Sequence, residues 1–246
     1  VKLLAIDRGN SRTKIGLQQN DGALEVHFFY NDEESPMLLW IEQQQPDAAV
    51  MSSVAATGLE KITAWLQQHA RFLWVTSTTP IPIKNNYATP ETLGMDRLAG
   101  AIGAWAQAGK KDVLLLDAGT CINYECVVNH TYIGGAIAPG LTMRLKAMHH
   151  FTGKLPLVEL PAEQAVLTGN STATCMLSGA IWGMVHEMEG IAGVYQALYP
   201  GITLILGGGD APFLGHYLKN SIFAPHKEVV LIGLLEILKY NLNVEN

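Results

Sequence analysis

The stretch LLAIDRGNSRTKIGL, Leu3 to Leu17, ends an apolar, buried-looking strand on a carboxylate, Asp7, and sets a tight polar turn, Gly9-Asn10-Ser11, directly behind it. A second stretch, LLLDAGTCINYEC from Leu114 to Cys126, repeats the arrangement. Asp7 is answered by Asp117, Gly9 by Gly119 and Asn10 by Thr120, so one offset of 110 residues superposes three positions and the apolar run before them. The chain therefore reads as two related halves.

Composition bounds what those halves can be. At 246 residues, with 48% hydrophobic and 15% charged residues, the sequence suits one large or two smaller globular domains. Its formal charge of −6 leaves no basic stripe for a nucleic-acid backbone, and the only adjacent Lys pair, Lys110-Lys111, reads as a solvated turn. Cys121, Cys126 and Cys175 form no C-x-x-C pair, which predicts free, mostly buried thiols in a reducing cytosol. No targeting segment is expected. The longest uncharged stretch, Gly190 to Gly209, is broken by Pro200-Gly201 and three consecutive glycines, so a soluble cytoplasmic protein without a membrane span is predicted.

Hydrophobic periodicity predicts strands at Leu3–Ile6, Thr13–Leu17 and Val26–Tyr30, the last entered through an Asp21-Gly22 turn. Helices are predicted near Pro36–Gln44 and Thr57–Gln68, alternating with strands Ala48–Ser52 and Phe72–Val75, as parallel βαβ units do. Thr76 to Pro90, with three prolines, reads as a long irregular connection of the kind that carries function. A helix over Met95–Ala108 precedes a second three-strand opening, Val113–Leu116, Cys121–Val128 and Thr131–Ala136, with Asn129-His130 as its turn. Helices near Leu141–His150, Thr172–Leu198, Pro212–Leu218 and Leu231–Tyr240, with a strand at Ile202–Leu206, complete the second half.

Two D-x-G turns suit phosphoryl transfer, because glycine lets backbone N–H donors wrap a triphosphate while the carboxylates hold a divalent ion directly or through water. A single copy would fit a simple strand-ending turn as well. No G-x-x-x-x-G-K-[ST] loop is present, and Pro212 spoils G-x-G-x-x-G in LGGGDAPFLG, which removes the ordinary P-loop and dinucleotide readings. Gly207-Gly208-Gly209-Asp210 remains as either a close-approach turn for a phosphate or adenine, or a packing turn. In LGMDRLAGAIGAW, Asp96 could take a hydroxyl proton and Arg97 grip an anionic group. Taken alone, the pair fits a dipole-favoured aspartate and a surface arginine better. IGGAIAPGL, Ile133 to Leu141, fits a substrate-lining loop or a strained connection, and His149-His150 has no metal-ligand spacing.

Together, D-R-G-N-S (Asp7 to Ser11), G-M-D-R (Gly94 to Arg97), D-A-G-T (Asp117 to Thr120) and G-G-A-I-A-P-G (Gly134 to Gly140) resemble, in order, the motifs of the type III pantothenate kinases, over nearly the whole chain. The resemblance implies an α/β, actin-like and hexokinase-like fold of two duplicated ribonuclease-H-like domains, 1–112 and 113–246, with mixed sheets flanked by helices. The last helix would be free to pack back on the first domain, and ATP would bind in the cleft. It implies phosphorylation of pantothenate to 4′-phosphopantothenate, the first step of coenzyme A biosynthesis. By the same resemblance, Asp7, Gly9, Asn10, Ser11, Arg12, Thr13, Lys14 and Thr120 contact ATP, with Asp7 near Mg²⁺. Asp96 is the proton acceptor, and Tyr87, Gly94, Met95, Asp96, Arg97 and Thr172 bind pantothenate. Asp117 falls where a monovalent cation, K⁺ or NH₄⁺, is held, and a homodimer is implied. Ser11, Cys121, Asn123 and Ser171 depart from the family's usual residues. The alternatives are another kinase or phosphatase of the actin-like superfamily, and a non-catalytic regulator of the accessory-transcription-factor type.

Overall fold

The computed structural model describes all residues except 10–11, 20–21, 54–57, 162–163, 219–223, 226–227 and 245–246. The Asp21 half of the first hairpin turn and the predicted helix start at Thr57 lie outside the described residues. The chain divides into two compact units, Val1–Lys110 with His130–Ile133 and Glu228–Asn246, and Lys111–Asn129 with Gly134–Lys227.

In unit 1, β1 (Leu3–Arg8), β2 (Arg12–Gln18) and β3 (Leu24–Tyr30) form an antiparallel meander. After α1 (Glu34–Gln44), β4 (Ala48–Ser53) pairs parallel to β1, and after α2 (Glu60–His69), β5 (Arg71–Trp74) pairs parallel to β4. The order is β3-β2-β1-β4-β5, with the strand that carries Asp7 at its centre. Alternation sends Leu4 and Ile6 of β1, Ile15 and Leu17 of β2, and Met51 of β4 into one core with Met37, Ile41, Ile62 and Leu66 of α1 and α2. The long connection expected at 76–90 holds a two-residue strand, β6 (Lys84–Asn85), and closes in a 3₁₀ turn at Pro90–Thr92. Two residues carry no periodicity for a sequence reading to find.

The second sheet follows the same plan. β7 (Val113–Ala118) pairs antiparallel with β8 (Cys121–Val128), and β8 neighbours β9 (Thr131–Pro139). Asn129 and His130 turn between β8 and β9 with φ of 49° and 56°, as a two-residue hairpin requires. β10 (Thr203–Gly207) is parallel to β7, and β11 (Ala224–Pro225) to β10. The order β9-β8-β7-β10-β11 therefore matches that of the first sheet strand for strand, while β6 pairs with the first residues of β9. The connections differ: α4 (Leu141–His150) and the 27-residue α5 (Thr172–Leu198) precede β10, and a short α6 (Ala211–Leu214) follows it. The predicted helix over Pro212–Leu218 is thus shorter than expected. Duplication extends to the strands and not to the helices. Among the described residues no helix is long and apolar enough to cross a membrane.

Of the three free thiols only Cys126 is buried, where desolvation pushes its pKa up to about 12; Cys121 is half-buried and Cys175 exposed. The expectation of mostly buried thiols fails because Cys175 sits on the solvent side of the first turns of α5.

Two helices of unit 1, α3 (Met95–Gln107) and α7 (Val229–Val244), touch backbone to backbone. A Cβ at Gly103 would lie 1.8 Å from the Val229 carbonyl oxygen, and one at Gly233 would lie 1.7 Å from that of Ala99. This contact seats the helix whose first turn carries Asp96 and Arg97. Gly103→Ala is expected to cost about 1–3 kcal/mol in urea unfolding through the forced shift. Gly193→Ala in α5, where a Cβ meets nothing within 4 Å, should instead be neutral or stabilising by up to about 1 kcal/mol.

Candidate active site

The first turn is built on backbone hydrogen bonds. Gly9 N–H donates to the Arg12 carbonyl (3.1 Å), closing a hairpin in which Arg8 opposes Thr13. Asp7, half-buried at the strand end, accepts from the Ser52 hydroxyl of β4 (3.3 Å). Arg8, 7% exposed, sends Nη1 to the Gly58 carbonyl (2.7 Å), tying the turn to the start of α2. Arg12 and Lys14 both lie over the Phe28 ring, at 5.9 and 5.7 Å, and Lys14 also pairs with Glu228 (3.3 Å). Thr13 is fully buried. Asn10 and Ser11 lie outside the described residues.

The second turn is closed the same way, by Gly119 N–H to the Cys121 carbonyl (2.9 Å), but it is one residue shorter, since Ala118 opposes Ile122. The 110-residue offset thus holds up to the turn and slips by one after it. Both glycine-rich stretches singled out in the second half converge here. Gly140 N–H donates to the Thr120 carbonyl (3.1 Å), and a Cβ on Gly140 would stand 2.0 Å from the Gly119 oxygen. Gly208, at φ 90°, lets the chain fold so that Asp210 N–H reaches the Ala118 carbonyl (3.0 Å). Desolvation raises the pKa of the half-buried Asp210 carboxyl. Arg144 of α4 braces this loop, donating Nε to the Pro139 carbonyl (2.8 Å) and pairing with Glu187 of α5 (2.5 Å), which accepts from the buried Tyr124 hydroxyl (2.9 Å). Burial, then the Glu187 bond, raises the Tyr124 pKa.

The unit 1 residues expected to bind pantothenate gather at the start of α3. Gly94 is its N-cap, and Asp96 Oδ1 accepts from Arg97 N–H (2.9 Å), which folds the carboxylate over the first turn. The Arg97 guanidinium lies 5.7 Å from the centre of the Tyr87 ring, and its Nη2 donates to the Tyr132 hydroxyl (3.4 Å). Tyr132, fully buried, stacks on Tyr87 at 6.0 Å, and Asn86 N–H bonds the Tyr132 carbonyl (3.0 Å). The strand pairing of β6 with β9 is what brings Tyr87 to Arg97. Tyr132 escaped sequence reasoning because that pairing joins residues 47 apart, Asn85 and Tyr132, and leaves no local signal. Met95 is half-buried beside them. Thr172 stands in unit 2, in the first turn of α5 after a Ser171–Thr174 capping box. It lines a pocket of about 800 Å³ with Met148, Leu155, Cys175 and Met176.

This arrangement, D-x-G turns on the central strands of two like mixed sheets flanked by helices, is the actin-like, hexokinase-like fold. Among solved structures the chain is similar to a proposed Baf family transcriptional activator from Campylobacter jejuni, with a TM-score of 0.60 at 20% identity over 98% of this chain and 99% of that one. It is also similar to the Lmo2764 protein of Listeria monocytogenes, a proposed N-acetylmannosamine kinase, with a TM-score of 0.54 at 14% identity over 100% of both chains. The family model for type III pantothenate kinase matches residues 3–193. A curated relative of that name from Christiangramia forsetii is 38% identical over 97% of this chain and 98% of its own. The chain belongs to the type III pantothenate kinase family.

A Cβ at Gly94 would fall 2.5 Å from Asp96 Oδ1, an atom that can swing away cheaply. Gly94→Ala is therefore expected to cost less than about 1 kcal/mol of stability while lowering turnover on the order of tenfold to a hundredfold, because the carboxylate is displaced. Paired thermal melts and steady-state rates would show the split; equal rates would mean that the carboxylate position is unimportant.

Proposed function

We propose that the chain transfers the γ-phosphoryl group of ATP to the primary alcohol of pantothenate, giving ADP and 4′-phosphopantothenate, the first step of coenzyme A biosynthesis. Its family membership supports the reaction. The observation that carries the residue assignment is the first turn of α3, where an aspartate and an aromatic-backed arginine stand side by side.

Asp96 is the proton acceptor. Arg97 N–H holds Oδ1, and no partner among the described residues engages Oδ2. An alcohol is far too weak an acid to ionise at neutral pH, so the carboxylate orients the hydroxyl and takes its proton late, as charge moves onto the transferred group. Arg97 grips the pantothenate carboxylate through its fork of donors, with Tyr87 beneath it and Tyr132 restraining one nitrogen. Gly94 and Met95 shape the same end of the helix, and Thr172 is assigned to pantothenate by the family resemblance alone.

The family resemblance assigns Asp7, Gly9, Asn10, Ser11, Arg12, Thr13, Lys14 and Thr120 to ATP, whose phosphates such polar groups would stabilise. A half-buried carboxylate at a strand end, bonded by the Ser52 hydroxyl, fits a Mg²⁺ ion whose other ligands are phosphate oxygens and water. Asp7 would hold that ion through water, and its charge would neutralise that of the phosphates. Asp117 lies across from Asn123 in β8 and beside Gly207 in β10, and the family resemblance assigns it a monovalent cation, K⁺ or NH₄⁺. We place the two functional halves at 1–112 and 113–246 and the protein in the cytoplasm as a homodimer, as the family resemblance implies.

Asp96→Asn keeps the shape and removes the base. Turnover is expected to fall on the order of a hundredfold or more, with ATP affinity unchanged; near-normal turnover would overturn the assignment.

A further inference from the structure

One half-buried side chain directly after β3, Asn31, reaches both stems of the first turn. Its Nδ2 donates to the Gly9 carbonyl (3.0 Å), and its Oδ1 accepts from the Thr13 hydroxyl (2.9 Å). The amide does both at once, donating through Nδ2 and accepting through Oδ1, which a carboxylate with no donor could not. Thr13 is fully buried, so its hydroxyl is committed to this bond. Gly9 N–H is already engaged by Arg12, so the amide occupies the remaining polar atom of the glycine.

A turn that receives phosphates must present donors and keep its carbonyl oxygens turned away, because an acceptor facing a phosphate repels it. We infer that Asn31 is a positioning residue for nucleotide binding, its single amide clamping Gly9 and Thr13 so that the turn holds the form that receives the ATP phosphates. This inference rests on the assignment of that turn to ATP.

The test compares wild type with Asn31→Asp, which is isosteric but sets a negative charge against the Gly9 carbonyl, and with the milder Asn31→Ser. Calorimetric binding of a non-hydrolysable ATP analogue with Mg²⁺ is read beside steady-state kinetics for both substrates. Analogue affinity is expected to fall on the order of tenfold in Asn31→Asp, and KM for ATP to rise alongside. KM for pantothenate should stay within about twofold, which a general loss of structure would not allow. Thr13→Val combined with Asn31→Ser should be no worse than the more damaging single change, since both break one network. Should Asn31→Asp fail to fold, Asn31→Ser carries the same comparison. Asp7→Asn separates the two ways of failing. Unchanged analogue affinity in the folded Asn31 variants, with affinity lost in Asp7→Asn, overturns the clamp alone. Unchanged affinity in all of them overturns the clamp and the assignment of the turn together.

Discussion

A carboxylate at the end of a central strand, followed by a glycine whose N–H closes the hairpin, is the constraint around which each unit is arranged. Gly9 bonds the Arg12 carbonyl and Gly119 bonds that of Cys121, at 3.1 and 2.9 Å. Each hairpin fixes the register of its antiparallel pair, and that register decides which residues face the core. In unit 1 it sends Leu4 and Ile6 inward and leaves Asp7 beside Ser52; in unit 2 it buries Leu114 and Leu116 and leaves Asp117 across from Asn123. The parallel strands that follow, β4 and β10, then lie against the same strands that carry the aspartates.

The supports behind the two turns differ. A side-chain amide braces the first, whereas packed backbone braces the second, with Gly140 and the Gly208 bend set against it and an Arg144–Glu187–Tyr124 chain holding the Pro139 carbonyl behind. Partly buried networks of this kind hold geometry more firmly than fully exposed ion pairs do. The middle of α3 is fixed differently again, by a glycine contact with α7 too close for any side chain.

Much of this was legible in the sequence because it is local. The apolar runs before Asp7 and Asp117, the alternation through β2 and β8, the Asn129-His130 turn and the full extent of α4 and α5 all follow from neighbouring residues. The four motifs named the family before any geometry was available. What escaped notice depends on contacts distant in sequence. Asn31 lies 22 residues from Gly9, Glu187 lies 43 from Arg144, and Tyr132 lies 35 from Arg97. The one-residue slip in the second turn leaves no local mark, because the matching residues, Asp117, Gly119 and Thr120, all precede it. Exposure of Cys175 could not be read either, since the apolar residues around it suit either face of a long helix.

The reaction itself is tested most directly by its products. Purified protein incubated with Mg-ATP, with and without pantothenate, and followed by mass spectrometry should give ADP and 4′-phosphopantothenate in equal amounts, and neither when pantothenate is left out. ADP released regardless of pantothenate, or no phosphorylated pantothenate at all, would contradict the account.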